Sequence, residues 1–208
     1  MIHLYAAPTT NGLRAKIMLD ECGLDYRLHV IDIAAGEQKQ PPMLARNPDG
    51  LVPVMVDEDG PGGDPLTLAQ SMAILIYLAE KTGKFLPRDP MKRALCWQAA
   101  MNAATDVAPA VVSIFLIQRR SGEPGSASQK VFENRFRDFM IVWDDRLSND
   151  EFCAGGEVSI ADFALYPVFA RCRDVIPDIT GGFANVDRWC ARMAARDGVA
   201  KGMTFQLR

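Results

Sequence analysis

Strand-like and helix-like periodicities alternate as far as Thr82, and beyond Pro90 only helical spacing remains. That break constrains the fold more than any other feature. Ile2 to Ala7 alternates and stops at Pro8, the pattern of a strand. Thr9-Thr10-Asn11-Gly12 is a turn rich in capping residues. From Leu13 to Cys22 the spacing is helical, with Leu13, Ile17 and Met18 on one face and Gly23 as a stop. Tyr26 to Ile33 alternates again. A right-handed strand–helix–strand unit makes these two strands parallel. Ala34 to Asp49 reads as a loop with a short helix near Met43 to Arg46. Val54 to Val56 is a third strand. The turn residues Asp57 to Asp64 return Leu66 to Leu68 antiparallel as a hairpin. Met72 to Thr82 closes the unit as a helix, ended by Gly83. The order is βαβ then ββα, an α/β domain over residues 1–82.

Gly83 to Pro90 reads as a linker. Met91 to Gln118, Gln129 to Leu147, Ile160 to Arg173 and Val186 to Arg196 follow with helical spacing, and Ser121 to Ser128 breaks the first two apart. The expectation is an all-helical second domain over residues 88–208. Within it, Ser159 and Asp162 form a capping box, with Val158 and Phe163 as the hydrophobic staple. This motif starts a buried helix and is structural. Trp97, Met101 and Phe115 share helical spacing. They read either as core or as the lining of an apolar pocket, with core expected for at least two.

Composition excludes several function classes. The formal net charge of -3 gives no electrostatic footprint for nucleic acid. The longest uninterrupted apolar run, Met72 to Ala79, is far short of the roughly 20 residues that span a bilayer. No basic leader precedes the first strand, so a cytoplasmic location is expected. The five cysteines (Cys22, Cys96, Cys153, Cys172 and Cys190) contain no Cys-x-x-Cys pair, which suits a reducing compartment. Two histidines, His3 and His29, make no metal cluster, so no metal is expected.

Three stretches carry candidate chemistry. Leu51-Val52-Pro53-Val54 puts a proline at a strand start, where it suits an ordinary edge strand or a cis bond that turns Val52's backbone towards a bound peptide. Gln70-Ser71 stands at a helix start, suited to an N-cap or to a ligand carboxylate. Thr9-Thr10-Asn11 opens the first helix. Its hydroxyls and amide either cap that helix, through Thr10 or Asn11, or donate hydrogen bonds to a thiolate. Donors aimed at the charged form lower a thiol's pKa and so raise the nucleophile's concentration.

These motifs stand in one order: Ala7-Pro8-Thr9-Thr10-Asn11-Gly12, Asn47-Pro48-Asp49-Gly50-Leu51-Val52-Pro53, Leu68-Ala69-Gln70-Ser71, Ile74-Leu75-Ile76-Tyr77-Leu78 and Ser159-Ile160-Ala161-Asp162. Over nearly the whole chain they resemble the cytosolic glutathione S-transferases, most of all the bacterial nu class, whose members also reduce disulfides with glutathione. The resemblance implies a thioredoxin-like N-terminal domain, an all-helical C-terminal domain and a homodimer. It implies that Thr9 and Asn11 hold the glutathione sulfur, with Thr10 beside them. It further implies that Val52 pairs with the cysteinyl backbone before a cis Pro53, that Gln70 and Ser71 take the γ-glutamyl end, and that Gln38 lies near the glycyl end. The expected enzyme activates glutathione as cosubstrate against a small electrophile or disulfide. The alternative is a glutathione-binding or regulatory protein without turnover.

The chain also departs from its relatives. No cysteine occurs between Pro8 and Gly12, so any thiol comes from the cosubstrate. Tyr5, near where other transferase classes place a catalytic tyrosine, lies inside an alternating strand and reads as partly buried. Cys22 reads as a small buried hydrophobe. Nu-class relatives bring an arginine from the helical domain, for which Arg119, Arg120 and Arg135 are candidates that read better as solvated surface.

Overall fold

Ile2, Leu4 and Ala6 turn inward while His3 and Tyr5 stay half-exposed, and this alternation makes β1 (Ile2–Ala6). The structure is a computed structural model that describes residues 1–122 and 124–205, without the side chains of Asp174 and Val175. It comprises two units, Met1–Lys84 with the segment from Ala195, and Phe85–Ala194.

In the first unit β1 is followed by α1 (Thr10–Cys22), β2 (Tyr26–Val30), a 3-10 turn at Glu37–Lys39, α2 (Pro41–Leu44), β3 (Val54–Asp57), β4 (Leu66–Ala69) and α3 (Ser71–Thr82). The sheet order is β2-β1-β3-β4. β1 and β2 run parallel, and both β1–β3 and β3–β4 are antiparallel, as the βαβ–ββα reading requires. β2 stops earlier than expected. Ile31 gives its N–H to the Ala6 carbonyl and the chain then turns away. The short helix starts at Pro41 rather than near Met43, because proline suits the first helical position.

The final segment departs from the domain boundary expected at residue 88. Helical spacing is a local signal and does not say which domain a helix joins. The last helix here, Asp197–Gly202, packs on α1. Two glycines permit the approach. A Cβ on Gly202 would sit 2.5 Å from the Ile17 Cα, and one on Gly198 would sit 2.8 Å from the Glu21 Cα. Charge then fixes the register. Buried Asp20 takes Lys16 at 3.0 Å and Lys201 at 3.3 Å, Lys16 also donates to the Lys201 carbonyl, and Arg196 grips Glu21 with two bonds.

The second unit contains α4 (Pro90–Asn102), α5 (Ala108–Leu116), α6 (Ala127–Asn149), α7 (Ile160–Val175), α8 (Pro177–Thr180) and α9 (Ala184–Ala194), so the helix Asp197–Gly202 is α10. Asp89 caps α4 and Ser126 caps α6. A π-helical turn at Ala103–Val107 joins α4 to α5, and a second at Ile117–Ser121 extends α5, giving one rod over Pro90–Ser121. By length and composition alone this rod could cross a membrane, which the run-length argument overlooked. Here α4 packs on α7, and α5 on α6. The core expectation for Trp97, Met101 and Phe115 fails. Trp97 is 40% and Met101 38% exposed, and Phe115 is half-buried. Spacing shows that side chains share a face, not that the face is covered.

The capping box is present. Asp162 is buried and accepts hydrogen bonds from Ser159 N–H, Ser159 Oγ–H, Cys153 N–H and Trp189 Nε1–H. It therefore ties the start of α7 to α9 and to the preceding turn.

Three variants test these contacts. Gly202→Ala should cost about 1–3 kcal/mol by overpacking α10 on α1, whereas Gly156→Ala, where an added Cβ meets nothing within 4 Å, should stay within about 0.5 kcal/mol. Urea unfolding followed by circular dichroism reads both, and equal effects would contradict the close approach. Asp162→Asn places an amide donor among these donors and should cost about 2–4 kcal/mol in the same assay.

Candidate functional site

The sheet topology gathers the predicted residues at one end. Tyr5 on β1 pairs with Val54 at the start of β3, and Val54 pairs with Ala69 at the end of β4. The turn after β1, the residues before β3 and the residues after β4 therefore emerge together. β2 is parallel to β1, so the loop carrying Gln38 leaves the sheet in the same direction.

The turn after β1 is tight. Thr9 N–H donates to the Ala7 carbonyl at 2.6 Å, and an added Cβ on Gly12 would lie 2.1 Å from that same oxygen. Only glycine fits there. Thr9 is the N-cap of α1: its backbone is extended, and its Oγ accepts the Gly12 N–H at 3.1 Å. Capping was expected from Thr10 or Asn11. Instead both lie within the first turn of the helix, with Thr10 half-buried and Asn11 exposed. A threonine hydroxyl that accepts one bond still has its proton to donate.

Asn11 is held on its oxygen side. Its Oδ1 accepts a bond from Arg14 Nη1 at 2.8 Å and one from the Ser71 hydroxyl at 3.3 Å. With both lone pairs engaged, the amide N–H2 is the group available to a ligand. The bond from Ser71 spans 60 residues of sequence and joins the starts of α1 and α3 directly. Arg14 is 2% exposed, and burial lowers its pKa to about 10, so it stays charged at neutral pH.

Ser71 is the first residue of α3, and the cap position belongs to Gln70, whose side chain makes no capping bond. The first N–H groups of α3 are thus left to a ligand or water. Gln70 itself has φ +71° and ψ 115°, a left-handed conformation that is costly for a residue with a Cβ. Val52 lies just before β3. The Val52–Pro53 peptide is cis, and the ladder begins only at Val54, so Val52's backbone is outside the sheet. Gln38 sits in the 3-10 turn, and its buried Oε1 has no hydrogen-bond partner among the described residues. No group of three or more metal-ligating side chains occurs among the described residues.

Comparison with known proteins decides the family. Residues 10–81 match the family described as glutathione S-transferase, N-terminal domain, and residues 103–192 match glutathione S-transferase, C-terminal domain. The chain belongs to the glutathione S-transferase family. It is 34% identical over 205 residues to the disulfide-bond oxidoreductase YfcG of Escherichia coli strain K12, covering 98% of this chain and 94% of that protein. The disulfide-bond oxidoreductase YghU of the same strain is 28% identical, over 97% of this chain and 73% of its own length. Among solved structures, a glutathione transferase from Pseudomonas putida with one glutathione disulfide bound per subunit superposes with a TM-score of 0.90 at 30% identity, covering 97% of this chain and 90% of that one.

Within this transferase's first unit, a groove of about 1460 Å³ runs from Pro8 and Thr9 along β2 to Met43 and Arg46. It touches the capping threonine but does not include Asn11, Gln70 or Ser71. Tyr5 lines it half-buried, stacked on His29 at 4.4 Å and beneath the Arg46 guanidinium at 4.6 Å. Cys22 is buried, as expected. Arg119 and Arg120 are exposed, and Arg135 is exposed and pairs with Asp106 at 3.8 Å. Sequence reasoning missed Arg14. Its i, i+3 relation to Asn11 was the available signal, but an arginine in a helix normally reads as solvated surface.

The Gln70 backbone yields a test. Gln70→Gly should raise the unfolding midpoint of the ligand-free protein, because left-handed backbone at a residue with a Cβ costs about 1–3 kcal/mol. A midpoint unchanged or lowered in a denaturant titration would show that the conformation is not strained.

Proposed function

We propose that this glutathione S-transferase binds glutathione across the joined starts of α1 and α3, stabilises its thiolate and directs the sulfur at an electrophilic carbon or a disulfide. The observation that carries the reading is the double engagement of Asn11 Oδ1 by Arg14 and Ser71, which leaves the amide hydrogens for an anion. Thr9 adds its hydroxyl proton, and Thr10 lies beside both. The Val52 backbone offers hydrogen bonds to an extended peptide. Ser71, with the free N–H groups of α3, receives the γ-glutamyl carboxylate, and the Gln70 side-chain carbonyl accepts from the amino group. Gln38 Oε1 accepts an N–H near the glycyl end. In disulfide exchange the thiolate attacks one sulfur. A new S–S bond forms as the old one breaks, and the second sulfur leaves as thiolate. The names of the YfcG and YghU relatives support including this reaction.

The same reading includes a homodimer in a reducing compartment such as the cytoplasm. Exposed Met91, Leu95, Trp97, Met101, Val112 and Leu116 on α4 and α5, together with five free cysteines, support it. Light scattering on the purified chain should give twice its 22.9 kDa mass.

Asn11→Ala should raise the thiol pKa of bound glutathione by about one to two units, since a hydrogen bond to a charged group contributes about 1.5–3 kcal/mol. Less thiolate is then present at neutral pH, and the acidic limb of kcat/KM for the second substrate, measured at saturating glutathione, moves to higher pH. A thiolate absorbance titration checks this, and an unchanged curve removes Asn11 from the role. Parallel assays with an aryl halide and a mixed disulfide show which reaction dominates.

A further inference from the structure

The two donors on Asn11 Oδ1 are not equivalent once a ligand is bound. Ser71 has one hydroxyl proton, which it gives to Asn11 Oδ1 across 3.3 Å. In the function proposed above, that proton belongs to the γ-glutamyl carboxylate. A charged acceptor makes the stronger bond, so the hydroxyl turns to the ligand. The bond from Arg14 at 2.8 Å then remains.

Arg14 is built for that task. It stands three residues beyond Asn11 on α1, and helical side chains lean towards the N-terminus, so its guanidinium lies over the first turn. Its side chain is almost wholly enclosed, which removes the rotamer freedom that an exposed arginine keeps. The bond is charge-assisted and pulls electron density towards Oδ1, making the amide hydrogens better donors. It also fixes which way the amide faces. A side-chain amide rotated by half a turn occupies nearly the same space but would offer its oxygen to the thiolate, turning an attraction into a repulsion.

We propose that Arg14 is a positioning residue for the reacting sulfur: from inside the fold it locks Asn11 with its N–H2 towards the thiolate, and it is the lock that persists when the substrate's carboxylate takes the Ser71 hydroxyl. The proposal rests on the glutathione reading but concerns a residue that touches neither glutathione nor the second substrate. It also separates the roles of the two donors. Ser71 serves affinity, and Arg14 serves sulfur reactivity.

The test is a double-mutant cycle read by the thiolate absorbance of the full chain saturated with reduced glutathione. Arg14→Met should raise the bound thiol pKa by about one unit in the otherwise native protein, and should add nothing in an Asn11→Ala background. Arg14→Lys, which keeps a charged donor, should restore part of the shift. An Arg14→Met shift that is absent, or equally large with and without Asn11, would overturn the proposal while leaving the glutathione reading intact. No shift on Asn11→Ala alone would remove Asn11, and with it Arg14, from the role at the sulfur, while glutathione binding in calorimetry would still stand. Ser71→Ala provides a measurement that does not depend on an Arg14 variant folding. It should weaken glutathione binding about tenfold in calorimetry, as loss of a hydrogen bond to a carboxylate does, and should leave the thiol pKa of the saturated complex where it was. A pKa raised by Ser71→Ala would show that Ser71, not Arg14, holds the amide.

Discussion

The turn between β1 and α1 leaves no space behind it. The Ala7 carbonyl occupies the place of a side chain on Gly12, and Thr9 bonds back to the helix it starts. Because these contacts set the direction of α1, the residues that follow have assigned sides. Asn11 faces out, Leu13 and Arg14 face in, and Ile17 and Met18 continue the buried face. Had the helix begun two residues later, capped by Asn11, Asn11 would have spent its side chain on the helix itself.

The two helix starts at the site divide their work for the same reason. α1 satisfies one of its own leading N–H groups with Thr9. α3 has no side-chain cap, and Gln70 holds a left-handed backbone ahead of it. One end is therefore capped by its own side chain. The other keeps its dipole and its donors for something else.

Much of this was legible in the chain. The alternation of Ile2 to Ala6, the turn-dense stretch before Leu66 and the Gly23 and Gly83 stops defined the sheet and its helices, because period and punctuation are local signals. The placement of Thr9, Val52, Gln70 and Ser71 at one end followed from that topology. What stayed hidden depends on distant partners or on small backbone differences. Thr9, Thr10 and Asn11 are all good caps, and only the extended backbone at Thr9 distinguishes them. Arg14 reads as surface until the fold closes over it. The link from Asn11 to Ser71 crosses 60 residues and has no periodic signature. Helical spacing grouped Trp97, Met101 and Phe115 correctly on one rod but was silent about what covers them.

The docking of α10 on α1 has a consequence for the order of events during synthesis. The first unit is not continuous in sequence: its sheet and early helices are made first, and the segment that covers Lys16, Ile17 and Asp20 comes only after residues 85–194. Until then Asp20 has Lys16 but lacks Lys201, and the face of α1 that receives Gly198 and Gly202 stays open. A ribosome therefore cannot release a finished first unit ahead of the helical one. The first domain to emerge is completed last.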